Sequence, residues 1–254
     1  MPAMIVAPEP AAAEEGAKVL ARGGNAVDAA VVCALTQGIV NPHNAGVGGY
    51  SLLTMFRAGT ASSPFVALDA PALAGSLTSA GMWEDRVIGP NPDGWGYFLR
   101  GKVNAMGYTS ICAPGSVRAW STMLERWGTL SWAEAIEPAA RIAEEGFMVR
   151  ERLAAGWREQ ARYPEDCAPI DQITSHSEAR RIYLRPDGEP YSAGQVLRNP
   201  DYARTLRRLA ASGADDFYCG ALAREIGGDL AAHGSYVTAG DLAEYRMREV
   251  APVV

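Results

Sequence analysis

The stretch from Gly23 to Phe56, GGNAVDAAVVCALTQGIVNPHNAGVGGYSLLTMF, constrains this chain more than any other. Asn25 can cap a helix whose first turn carries Asp28, because side-chain oxygens suit a helix's positive end. Ala26, Ala29, Ala30 and Ala34 are small, and Val27, Val31, Leu35 and Val40 fill the remaining positions, so the helix is apolar nearly all round. Such a helix belongs in a core, and the expectation is burial against a sheet. Pro42 ends it. Gly46, Gly48 and Gly49 then allow a sharp turn with φ > 0 where needed, and Ser51 to Phe56 reads as a buried strand. Taken alone, the unit is a helix, a glycine turn and a strand of an α/β core.

Ahead of it, Ala11 to Arg22 is an amphipathic helix with Ala13, Ala17, Leu20 and Ala21 on one stripe, stopped by Gly23–Gly24. Behind it, Phe65 to Leu68 gives a second strand. From Asp69 to Tyr108 the periodicity fades, and Gly and Pro mix with Trp83, Trp95, Tyr97 and Phe98. A long aromatic loop of this kind is either a binding loop or an ordered surface excursion. Ala113-Pro114-Gly115 turns into a helix from Val117 to Trp127, which Ser116 can cap and Gly128 ends. Ser131 with Glu134 fits a capping box, and Pro138 fits the first turn of a further helix closed by Gly146. Short helices follow from Arg150 to Tyr163, then a loop from Pro164 to Ser177 and a strand at Ile182–Leu184. Asp201 to Ala211 and Ala221 to His233 are helices, and Thr238 and Asp241 mark one more helix start. Glu249 to Val254 reads as the beginning of a strand, so the chain is expected to continue in some further polypeptide.

A net charge of −6 argues against a nucleic-acid partner, which needs a concentrated basic surface. Cys33, Cys112, Cys167 and Cys219 form no CxxC pair, and His43, His176 and His233 are equally dispersed. No metal and no cofactor are therefore expected. The amino terminus shows no basic n-region followed by an apolar run, and the longest apolar run, Ala29 to Val40, is too short to span a bilayer. The expectation is a cytoplasmic protein with no membrane partner.

In order, the stretches GGNAVDAAVVCAL, NPHNAGVGGYSLL, APGSVRAW, ERWGTLSWAEAIEPAARIAEEGFMV, DDFYCGALAREI and YVTAGDLAEYR resemble the large-subunit half of the γ-glutamyltranspeptidase family of N-terminal-nucleophile hydrolases. The resemblance implies an α/β (α+β) fold, an αββα sandwich completed by a second, small-subunit polypeptide cut from the same precursor. Residues 1–254 would be the large-subunit part, without its C-terminal end and without the small subunit. It also implies a threonine at the new N-terminus of that small subunit, with its hydroxyl as nucleophile and its own amine as base. An acyl-enzyme would form and pass its acyl group to water or an amine, on an amide or γ-glutamyl small-molecule substrate.

No threonine here matches that nucleophile, so no catalytic residue is assigned to this chain. The family's D-x-R-E-x-A-P pattern, whose arginine holds the substrate α-carboxylate, is also missing: the chain reads Leu68-Asp69-Ala70-Pro71. Arg86 and Arg100, on the following loop, are candidate replacement clamps, with solvated loop arginines as the plain alternative. Tyr108, Thr109 and Ser110 match a segment near the family's substrate pocket and are candidate polar wall residues, with turn hydrogen bonding as the alternative for the hydroxyls. A cephalosporin-acylase-like, oxamate-amidohydrolase-like or C–C-cleaving relative fits this departure as well as a γ-glutamyl enzyme does. A non-catalytic structural subunit is the reading from another class.

Overall fold

A computed structural model describes residues 3–59 and 64–252. In chain order, α1 (Pro10–Ala21) and α2 (Ala26–Val40) lead into β1 (Ser51–Phe56) and β2 (Phe65–Ala70). The hairpin β3 (Val87–Pro90) and β4 (Tyr97–Leu99) lies within the aromatic loop. Then come α3 (Ser116–Trp127), α4 (Trp132–Glu145), β5 (Phe147–Met148), α5 (Glu151–Gly156), α6 (Pro169–Thr174), α7 (Ser177–Tyr183) and β6 (Val196–Leu197). The chain closes with α8 (Pro200–Ser212), α9 (Ala221–Ala232), α10 (Ala239–Ala243) and β7 (Arg248–Val250). The main sheet is antiparallel with order β1-β2-β7.

α2 begins as its sequence predicts. The Asn25 side chain accepts from the N–H groups of Val27 and Asp28, and Asp28 returns a bond to the Asn25 N–H. Its all-round apolar surface is enclosed by helices rather than by the expected sheet: α1, α4 and α3 pack on it, while α3 is the helix that touches β1 and β2. α1 buries Ala12, Glu15 and Gly16, so its inward stripe is turned from the expected one and leaves Ala17 and Ala21 exposed. The reason is close approach: a Cβ on Gly16 would come 3.0 Å from the Ala29 carbonyl oxygen, and only that face lets α1 and α2 meet.

Several local expectations change. Ser116 is the first residue of α3 and makes no cap; Gly115 stands at that position. Pro138 lies inside a single helix, α4, whose capping box is formed by Ser131 and Glu134. Ile182 and Tyr183 end helix α7 instead of forming a strand, and part of the predicted 164–177 loop is helix α6. Gly46 alone of the turn glycines has positive φ, whereas Gly49 is needed for space: a Cβ there would sit 3.2 Å from the Gly46 carbonyl and 3.3 Å from Ser116 Oγ. β1 is not buried on both faces; Leu52 is 72% and Phe56 62% exposed. The strand predicted from Glu249 appears as β7, while Val253, Val254 and Thr60 lie outside the described residues.

Val66, Leu68 and Ala70 of β2 point into the core, with Leu53 and Met55 of β1 packed beside them. Alternation puts Leu52, Thr54, Phe56, Phe65, Ala67 and Asp69 on the other face. No helix of the described residues is long and apolar enough to cross a membrane.

Candidate functional site

The sheet ends where β1 begins and β2 finishes, with Ser51 opposite Ala70. The glycine loop is held against this end from three sides. Gly38 of α2 lies on Gly46, where a Cβ would come 2.9 Å from the Gly46 Cα. Tyr202 Oη of α8 accepts from the Val47 N–H at 3.1 Å. The Gly49 carbonyl accepts from the N–H groups of Gly115 at 2.9 Å and Ser116 at 3.1 Å, so the loop sits on the start of α3. Ser51 Oγ and Ser116 Oγ meet at 3.3 Å.

The exit of β2 is equally tight. A Cβ on Gly115 would lie 2.1 Å from Tyr245 Oη and 2.4 Å from the Ala70 carbonyl oxygen. Tyr245 Oη donates to the Pro71 carbonyl at 2.7 Å, and Tyr218 Oη donates to the Pro114 carbonyl at 3.0 Å. Burial pushes both phenols up, Tyr245 to about 12, so they stay protonated donors at neutral pH. Two buried tyrosines thus fix the two proline turns that frame the strand end.

On the outward face, Asp69 and Arg248 stand opposite each other in register and form an ion pair. The remaining outward residues, Leu52, Thr54, Phe56, Phe65, Ala67 and Val250, carry no charge. The two serine hydroxyls lie on the core side of the sheet with α3, Ser116 being buried, whereas the outward face offers one ion pair beside an apolar surface. On that outward face the ion pair can orient a polar acyl group. Among the described residues, no cluster of three His, Cys, Asp or Glu side chains is placed to hold a metal ion.

The sequence-predicted residues lie on the 72–112 excursion. Arg86 and Arg100 are exposed at the base of the β3–β4 hairpin and form no ion pair among the described residues. A Cβ on Gly101 would fall 3.8 Å from Arg86 Nη1, so the structure brings the two arginine segments together. Tyr108, Thr109 and Ser110 form one 3₁₀ turn. Thr109 Oγ1 donates to the Val103 carbonyl at 2.6 Å, and Ser110 Oγ to that of Gly107 at 2.9 Å. Tyr108 Oη donates to Asp229 at 2.9 Å, lies 3.2 Å from His176 Nε2, and its ring stacks on His233 at 4.3 Å. Burial, then the Asp229 carboxylate, pushes its phenol up. No hydrogen bond among the described residues ties these five side chains to the Ser51–Asp69 end. The link is through the backbone, where Ala113 pairs with Leu73 just beyond the β2 exit.

Sequence reasoning missed the Asp69–Arg248 pair and the Ser51–Ser116 contact. Strand alternation could have placed Asp69 outward, but no local pattern announces its cross-strand partner.

The gamma-glutamyltranspeptidase family profile matches residues 12–254. The chain belongs to the gamma-glutamyltranspeptidase family. It is 32% identical to an Acylase ACY 1 proenzyme of Pseudomonas sp. (strain SE83), over 98% of this chain and 42% of that protein. It is 28% identical to a glutathione hydrolase proenzyme of Escherichia coli (strain K12), over 98% of this chain and 40% of that protein. The crystal structure of Helicobacter pylori gamma-glutamyltranspeptidase superposes with a TM-score of 0.84 at 27% identity, covering 99% of this chain and 66% of that one. The chain thus spans well under half the length of these two curated proenzymes. Its α/β fold is that of the N-terminal-nucleophile hydrolases in this family.

Proposed function

We propose that this chain supplies the large-subunit part of an amidohydrolase or acyltransferase, whose nucleophile is the N-terminal threonine of a second polypeptide from the same precursor. The observation that carries the reading is the sheet with one face on α3 and the other bare, Leu52 and Phe56 exposed on it, in a family member that matches only part of two proenzymes. A second sheet laid on that face would complete an αββα sandwich, and its first residue would meet the Ser51–Asp69 end. The substrate is a small amide, attacked to give an acyl-enzyme that water or an amine resolves. Arg86, Arg100, Tyr108, Thr109 and Ser110 stand in this proposal as substrate contacts from the excursion.

Intact-mass analysis of the purified full-length gene product tests the reading. The expected result is a second fragment beginning with threonine, and loss of acyl-p-nitroanilide turnover when that threonine becomes alanine. A single uncleaved species, or turnover unchanged in the alanine variant, would overturn it.

A second reading concerns the acyl group. The β2 exit reads Asp69-Ala70-Pro71, with no arginine, and one of the similar proteins is named an acylase. A relative with non-γ-glutamyl specificity follows, of the cephalosporin-acylase, oxamate-amidohydrolase or C–C-cleaving kind. Rates on γ-glutamyl-p-nitroanilide, an acyl-β-lactam and oxamate separate the two.

A further inference from the structure

We infer that Arg248 is the specificity-determining residue that reads a carboxylate at the far end of the transferred acyl group. The inference rests on the proposed function for the existence of an acyl donor, and it adds the residue that selects it.

The reasoning begins with hydrogen-bond supply. A guanidinium carries five N–H donors in a planar fork. Asp69 engages only Nη2 of Arg248, and Nε and Nη1 find no acceptor among the described residues. The pair is uneven in exposure as well: the Asp69 side chain is 21% exposed and that of Arg248 65%. Asp69 is largely enclosed and cross-strand to Arg248, so it holds one edge of the fork and leaves the other free.

Position gives the second step. Arg248 lies on the outward face of the sheet beside Val250, in a row whose neighbours are Ala67, Leu52 and Thr54. If a second apolar sheet covers this face, water is removed from the guanidinium, and its unmet donors must find an acceptor or carry a desolvation penalty. A substrate carboxylate satisfies them bidentately, which is the geometry the fork favours. Asp69 and Arg248 are the only charged side chains on the described outward face, so an anionic acyl tail entering between the layers meets one cation there.

Arg86 and Arg100 are the rivals. Neither has a carboxylate fixing its orientation among the described residues, and both lie on the excursion rather than on the sheet.

The test is isothermal titration of the processed full-length protein with glutaramate, which carries one carboxylate, and with glutaramide, its uncharged isostere. The wild-type protein is expected to bind glutaramate at least about tenfold tighter than glutaramide, as a charge-assisted bidentate contact requires. Arg248→Gln should remove that preference, and Arg248→Lys, a point charge without the fork, should keep about a third of the affinity or less. Should Arg248→Gln fail to melt cooperatively, Arg248→Lys carries the test, and full affinity in it overturns the assignment. So does an absent preference in the wild type, a preference surviving in Arg248→Gln, or a preference lost only in Arg86→Gln or Arg100→Gln. Binding is read without turnover: Arg248-dependent carboxylate binding in a protein that hydrolyses no acyl anilide would defeat the proposed function and leave Arg248 with no acyl group to select, whereas acyl-anilide turnover without that preference would defeat this inference alone.

Discussion

Asp28 is the most consequential single side chain in the helical layer, and its replacement gives the sharpest test of how the fold is held. It is 0% exposed and ionised. Oδ1 accepts from the N–H groups of Thr129 at 2.7 Å and Leu130 at 3.0 Å. Oδ2 accepts from the Asn25 N–H at 2.9 Å and from Thr129 Oγ1 at 2.7 Å. One carboxylate thus ties the start of α2 to the turn between α3 and α4. Burial by itself pushes its carboxyl up, and the bonds from Thr129, Leu130 and Asn25 outweigh that, holding it below the ordinary carboxylate value.

Asp28→Ala orphans three backbone donors and a hydroxyl in a tight space. At about 1–3 kcal/mol for each buried donor left unmet, and with water reaching some of them, the loss is about 4 kcal/mol. Asp28→Asn keeps an acceptor for Thr129 and Leu130 but turns an amide N–H toward the Asn25 N–H, for a loss of about 2 kcal/mol. Because the native carboxyl sits below its unfolded value, its contribution is complete above the unfolded pKa and disappears as pH falls through the native one. Urea unfolding from pH 7 down to pH 3 should therefore show a constant gap between wild type and Asp28→Asn to about pH 4, closing below. Two results would refute this: a gap under about 0.5 kcal/mol at pH 7, the size of an ordinary surface change, or a gap that persists undiminished at pH 3.

Three further outcomes follow from the site geometry. Gly115→Ala drives a Cβ into Tyr245 Oη and the Ala70 carbonyl, and should cost more than about 3 kcal/mol, whereas Gly48→Ala meets nothing within 4 Å and should stay within about 0.5 kcal/mol; thermal midpoints compare them. Tyr202→Phe removes the acceptor of the Val47 N–H, with an expected loss of about 1–2 kcal/mol and faster hydrogen exchange at that amide. Leu52→Arg changes a side chain already exposed, so the helical core should melt as before while recovery of the associated second fragment on gel filtration falls by about tenfold.

The helices with local signals were legible. Asn25–Asp28, Ser131–Glu134 and Thr238–Asp241 all form capping boxes, because the partners lie three residues apart and the geometry closes within one turn. Where a residue's role depends on distant packing, reading failed. Ser116 looked like a cap, but the Gly49 carbonyl takes the N–H of Ser116, and its Oγ accepts from the Ser51 hydroxyl. Ile182 looked like part of a strand but lies in α7, and Leu184, whose N–H bonds back to Arg180, keeps only an isolated antiparallel bridge to Pro190. The site divides in the same way. The glycine loop showed in the sequence, since glycines mark close approach. Asp69 and Arg248 stand 179 positions apart, and only strand register brings them together.

The strand Ser51–Phe56 makes the final case. Leu52 and Phe56 on one side and Leu53 and Met55 on the other read as a strand with two covered faces. The structure covers one: Leu53 and Met55 pack on the core while Leu52 and Phe56 are bare. A short-range rule cannot tell which molecule does the covering, since alternation records only that both sides prefer to leave water. An apolar face of this kind on a folded chain marks a place where something else binds. Here the face continues to a closely packed strand end built from Gly49, Gly115 and two buried tyrosines, and it carries a single ion pair. A second sheet laid on that face would bring its first residue to this strand end, and that is why the proposed chemistry is placed there.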